Sequence, residues 1–153
     1  MFNVVLFFHL FAALLFVSGI VVVGVAFESA RRRTRPAEIA VLLRLTRVGV
    51  LLVAVGGLLL PIFGLWLVHL GHWSYGTGWI DWALGLYLLA LLLGAIGGQR
   101  PKRARQLAAR LTEQDAPISD ELRALLSDPV ALVLNYVSLL MVLAILALMA
   151  FKP

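Results

Sequence analysis

Residues 3–27 read NVVLFFHLFAALLFVSGIVVVGVAF, about 25 consecutive positions without a charged side chain. A helix needs about 20 apolar residues to cross a hydrocarbon core about 30 Å thick, so this run is long enough to span a bilayer. It exceeds the roughly 7 to 15 apolar residues of a cleaved secretory signal and has no basic segment before it. It is therefore expected to be a retained helix. Runs of the same kind recur at 37–70, 79–98 and 129–151, with polar stretches between them. The expectation is an all-α transmembrane four-helix bundle in a single integral membrane domain, with loops at 28–36 and 99–128.

Composition points the same way. Of 153 residues, 62% are hydrophobic and 14% charged, and the mean hydropathy is +0.99. A soluble domain is about half apolar and a quarter charged, so a soluble fold could not hide this much apolar surface. There is no cysteine, which excludes disulfides, thiolate metal sites, iron–sulfur clusters, covalent c-type haem and cysteine nucleophiles.

Local chemistry marks the helix ends. Pro36 and Pro129 sit where a missing N–H costs nothing, Asp128 can cap the amides that open the last helix, and Gly97 with Gly98 closes the third. The second helix is too long for the membrane, at roughly 50 Å by the helix rise. Its first turns, with Glu38, Arg44 and Arg47, are expected to project into the interface. Pro61, beside Gly56, Gly57 and Gly64, removes a backbone donor and invites a kink.

Orientation follows from the loops. Arg31, Arg32, Arg33 and Arg35 fill the first; Arg100, Lys102, Arg103, Arg105, Arg110 and Arg123 lie in the third. By the positive-inside rule both face the cytoplasm, which puts both termini outside. The loop 71–78 holds no Lys or Arg and belongs outside, with Lys152 a minor exception. The expected location is a bacterial inner membrane.

Within 99–128, Ala104, Leu107, Ala108 and Leu111 recur at helical spacing. This predicts a cytoplasmic amphipathic helix, its Leu and Ala stripe dipping into the bilayer and its Arg103, Arg105 and Arg110 face against anionic headgroups. Pro117 interrupts it, and Ser119 with Asp120 and Glu121 reads as the capped start of a second short helix.

Ionisable groups inside a membrane are costly and are functional candidates by default. His9 lies about two turns into the first helix; His69 ends the second; His72 follows one turn later if that helix continues; Asp81 opens the third. On the expected topology all four converge on the outer leaflet. Three imidazoles and a carboxylate are an adequate ligand set for copper or another metal, and His9 with His69 or His72 for haem b. The competing reading of His69 and His72 is interfacial, within an aromatic belt of Trp66, Trp73 and Tyr75. Arg44 and Arg47 could neutralise a propionate or a lipid phosphate, or simply snorkel. Gly94-x-x-x-Gly98 would let another helix approach closely, as in a homodimer. Ser18, Asn135, Tyr136 and Ser138 read as interhelical hydrogen-bonding groups. The basic loops lack interleaved aromatics, so no nucleic-acid site is expected.

The run His9 to Gly19, together with Pro61-Ile-Phe-Gly64-Leu-Trp66-Leu, Gly78-Trp79 and Leu86-Tyr87, resembles a family of small bacterial four-helix integral membrane proteins of unknown function. That family is distantly similar to membrane proteins of the copper-resistance D type and of the haem-binding protoporphyrinogen oxidase type. The resemblance implies haem b or copper at His9 alone; the arginine and second histidine that follow in the oxidase type have no counterpart here.

Three functions remain open: a cofactor protein for electron transfer or metal handling, a non-catalytic accessory or scaffold subunit of a larger complex, and an oligomeric transporter or channel. The last is disfavoured by the scarcity of polar groups within the runs. No nucleophile elbow, paired acids or metalloprotease helix supports an enzyme.

Overall fold

Six helices follow one another along the chain: α1 (Phe2–Arg31), α2 (Pro36–Leu70), α3 (Gly78–Gly97), α4 (Gln99–Glu113), α5 (Asp120–Leu126) and α6 (Pro129–Phe151). The computed structural model describes residues 1–74 and 78–151, apart from the side chains of Arg100, Ala131, Leu132 and Asn135. The expectations placed on Tyr75, Lys152 and the Asn135 side chain lie outside the described residues. Among the described residues α1, α2 and the path from α3 into α4 are long and apolar enough to cross a membrane, with a shorter apolar stretch at Tyr136–Phe151.

The α1–α2 pair is an antiparallel hairpin held by absent side chains. Val5, Ala12, Gly19 and Ala26 recur every seven residues on α1 and all are buried, the spacing that keeps one seam facing a partner. Opposite them on α2 lie the buried Gly49 and Gly56. A Cβ added at Gly19 would stand 2.6 Å from the Gly49 carbonyl oxygen, and one at Gly56 would stand 2.6 Å from the Phe16 nitrogen. The backbones therefore touch, as small residues permit between helices in lipid. The Gly94 and Gly98 pair singled out in the sequence plays no such part within the chain. A Cβ at Gly94 would meet nothing within 4 Å, and one at Gly98 only its own helix.

At the turn, Arg31 and Arg32 both pair with Glu28, at 2.9 Å and 3.2 Å, and Arg33 reaches Glu38 at 3.7 Å. Helix α1 runs on to Arg31, four residues into the expected loop 28–36, because its last turn is stabilised by these i,i+3 and i,i+4 pairs.

The segment 99–128 corrects a second expectation. Its apolar stripe does not dip into lipid. Ala104 and Ala108 are fully buried in a core with Phe27, Ile39, Leu43, Leu122 and Leu126, and Leu107 and Leu111 pack against it. Hydrophobic periodicity gives the angular position of a stripe but not whether lipid or protein covers it. Here α4 lies on α2, and α5 on α4 and α1. Burying Leu43 completely is worth about 2 kcal/mol against leaving it exposed to water.

Arg105, expected against headgroups, is half-buried and donates to the Thr46 hydroxyl at 3.3 Å. Thr46 in turn donates to the Leu43 carbonyl at 2.6 Å. Arg44, Arg47, Arg103 and Arg110 are exposed. The two predicted caps are present: Ser119 Oγ accepts from the Leu122 amide at 3.2 Å, and an Asp128 carboxylate oxygen accepts from the Val130 amide at 2.9 Å.

Gly97 and Gly98 end α3 without ending the helical path. Gly98 keeps helical angles (φ −71, ψ −14) and donates to the Gly94 carbonyl at 2.9 Å, so α4 continues the line of α3. Helix α3 packs along α6, while α1 and α6 touch only briefly. The result is two helix pairs, tightly covered at the end carrying the arginines and separated at the opposite, aromatic end.

Candidate ligand cavity at the aromatic end

The site begins with Pro61. In an α-helix each N–H bonds the carbonyl four residues back, so a proline at 61 deprives the Gly57 carbonyl of its donor. In a medium without water that oxygen needs another partner. It finds one in the hydroxyl of Tyr87 on α3, which donates to it. A Cβ at Gly57 would stand 3.5 Å from the Tyr87 hydroxyl and 3.4 Å from the Phe16 ring, in ordinary contact with both. The carbonyl freed by one proline on α2 thus anchors a tyrosine from the other helix pair.

One turn nearer the aromatic end, His9 on α1 donates through Nδ1 to the Leu60 carbonyl at 3.2 Å. Gly64 leaves room for the ring, since a Cβ there would lie 3.2 Å from His9 Cε1. A carbonyl oxygen can only accept, so this bond assigns the proton to Nδ1. Among the described residues no group bonds Nε2.

His9 and Tyr87 both line a cavity of about 320 Å³ between the pairs. Its walls are apolar and aromatic, with Phe16, Trp73, Trp79, Ile80, Val142 and Met149 among them, and among the described residues no carboxylate, lysine or arginine contributes. Trp73 sets its ring edge-on to Phe2 at 6.4 Å and to Trp79 at 5.8 Å. Farther out on the lipid side, Phe63 stacks with Phe8 at 5.3 Å and with Trp66 at 6.4 Å.

The four residues read as one ligand set are not brought together. His69, His72 and Asp81 are exposed and absent from the cavity lining, and among the described residues no three His, Asp or Glu side chains stand close enough to hold a metal ion. The helical spacing of His69 and His72 fails because α2 ends at Leu70. His72 adopts a left-handed conformation (φ 54), its amide donating to the His69 carbonyl at 3.3 Å and that of Trp73 to the Val68 carbonyl at 3.1 Å. This pair of bonds is a Schellman cap with histidine where glycine is usual. His72 therefore serves the chain reversal and brings Trp73 back over Gly71, where a Cβ would lie 3.0 Å from the indole.

A copper ion would find a single imidazole in the cavity. Haem b would find one axial nitrogen and no cationic side chain for its propionates, in a volume near the lower end of the roughly 300–1,000 Å³ typical of ligand sites. The arrangement does not fit either group. Sequence reasoning singled out His9 but missed Tyr87 as its companion; the readable signal was Pro61, whose orphaned carbonyl is always four residues upstream.

No curated protein and no solved structure is detectably similar to the chain. Over residues 3–153 it matches the family described as "Predicted integral membrane protein (DUF2269)". The chain belongs to that family of predicted integral membrane proteins, whose function is unknown.

Proposed function

We propose that this protein holds one apolar small molecule within the membrane, in the cavity between its two helix pairs. The observation that carries the reading is a pocket of about 320 Å³ with a largely apolar and aromatic wall, to which different pairs contribute the polar side chains His9 and Tyr87. A largely apolar concavity with a few convergent polar groups is the usual form of a small-molecule site.

In this reading α1, α2, α3 and α6 all cross a bacterial inner membrane, with both termini and the cavity toward the outer face. What supports the orientation is charge: Arg31, Arg32, Arg33 and Arg123 surround one hollow at the opposite end, as expected of a cytoplasmic face. Exposed basic residues beside it, such as Arg103 and Arg110, suit anionic headgroups.

The test is extraction and mass spectrometry of protein purified in mild detergent. A compound at one per chain beyond the bulk lipids, lost when Ala13 in the cavity wall is replaced by Phe, is the expected result. Wild-type protein carrying only bulk lipid, and binding no added apolar compound, would overturn the reading. A Soret band dependent on His9 would replace it with haem binding.

A second reading, a subunit of a homodimer or larger complex, rests on α3. A Cβ at Gly85 or Gly94 would meet nothing within 4 Å, leaving room there for another helix. Cross-linking through cysteines placed at these two positions, in native membranes, would detect it.

A further inference from the structure

The hydrogen-bond inventory of the cavity has a definite polarity. The His9 Nδ1 proton is committed to the Leu60 carbonyl. With no carboxylate in the cavity wall to pair an imidazolium, the neutral ring is the form this apolar site accommodates, and its Nε2 then carries a lone pair and no proton. The Tyr87 hydroxyl proton is committed to the Gly57 carbonyl, so its oxygen also has only lone pairs to offer. His9 and Tyr87, which line the cavity from the two helix pairs facing each other across it, are therefore both acceptors.

We infer that the cavity selects an apolar molecule bearing a hydroxyl donor, of the phenol or hydroquinone class, over the corresponding quinone or ether, through His9 Nε2 and the Tyr87 oxygen. This rests on the small-molecule reading above and gives it a ligand class. A ring suits the aromatic wall of Phe16, Trp73 and Trp79, where offset or edge-on contacts between rings are favourable. The hydroxyl is the discriminating group. A ligand presenting only a carbonyl or ether oxygen sets acceptor against acceptor and loses its own hydration without replacement, whereas a hydroxyl is satisfied on entering. Trp73 and Trp79 also line the cavity, packed edge-on against each other, and each carries one indole donor; the selection for a hydroxyl is assigned to the two acceptors, His9 and Tyr87.

The experiment compares para-decylphenol with its methyl ether, which share size and tail and differ in one hydroxyl proton, by native mass spectrometry of the full-length protein in mild detergent. The phenol is expected to bind about tenfold more tightly, the value of one hydrogen bond in an apolar site. In His9→Phe the phenol should fall to the affinity of the ether while ether binding persists, which also reports that the variant is folded. Equal binding of the two compounds to the wild type, or an unchanged preference in His9→Phe, would overturn the donor selectivity while leaving the cavity as a binding site. Binding of neither would remove both.

Discussion

At the basic end Ile39, Leu43 and Leu122 are wholly covered by protein; at the aromatic end Leu65 and Leu84, side chains of similar size, stand beside an open cavity and keep 42% and 39% of their surface exposed. The difference comes from what fills the gap between the helix pairs. Near the arginines α4 and α5 supply Ala104, Ala108, Leu122 and Leu126 as a plug. At the other end no comparable element is inserted among the described residues, and one hydrogen bond, from Tyr87 to the Gly57 carbonyl freed by Pro61, joins the pairs. A closed core and an open cavity thus stand at opposite ends of the same helices, and the division can be tested.

The largest effect is expected at Gly19. Its Cβ would meet backbone atoms of Gly49 and Val53 at 2.6 Å and 2.7 Å, which cannot yield as a flexible side chain could. Gly19→Leu should destabilise by about 3 kcal/mol or more, seen as loss of folded protein in detergent unfolding, whereas Gly85→Ala, with open space around it, should leave stability unchanged. If both behave alike, the tight seam between α1 and α2 is not what holds the pair.

A smaller contrast separates the two ends directly. Leu43→Ala in the closed core should cost about 2–5 kcal/mol, because the space it leaves is surrounded by fixed neighbours. Ile145→Ala, at a half-buried wall of the cavity, enlarges a space already present and should cost about 1 kcal/mol or less while weakening ligand retention. Chemical unfolding of the two variants side by side measures the difference.

The smallest effect runs in the stabilising direction. His72 holds a left-handed angle (φ 54) that glycine adopts without strain, so His72→Gly should leave the cap intact and raise stability by a few tenths of a kcal/mol, up to about 1 kcal/mol, despite the added freedom of the unfolded chain. A metal-binding role for His72 would instead show as lost metal affinity in that variant.

The helices were legible because each apolar run announces its own length, and the caps at Ser119 and Asp128 because the side chain and its amide target are neighbours in sequence. What could not be read were facts about partners. The stripe on α4 has the same periodicity whether lipid or α2 covers it. The seven-residue recurrence of Val5, Ala12, Gly19 and Ala26 was present to be found, yet only the structure pairs it with Gly49 and Gly56. For the site, Pro61 identifies Gly57 as an orphaned carbonyl, but nothing local says that Tyr87, 30 residues away, supplies the donor. The spacing of His69 and His72 was conditional on the helix continuing, and α2 ends at Leu70.

The passage from α3 into α4 through Gly98 has a metric consequence. Helix α3 has 20 residues and rises about 30 Å, one hydrocarbon thickness, and the path from 78 to 113 has 36 residues against 35 in α2. Two rods of nearly equal length thus meet where α4 lies on α2, and on one of them the sequence changes from lipid-compatible to arginine-rich at a fixed height. Gly98 works as a graduation on a ruler: it marks the height at which the apolar sequence gives way to arginines, 11 residues along the helical path from Tyr87.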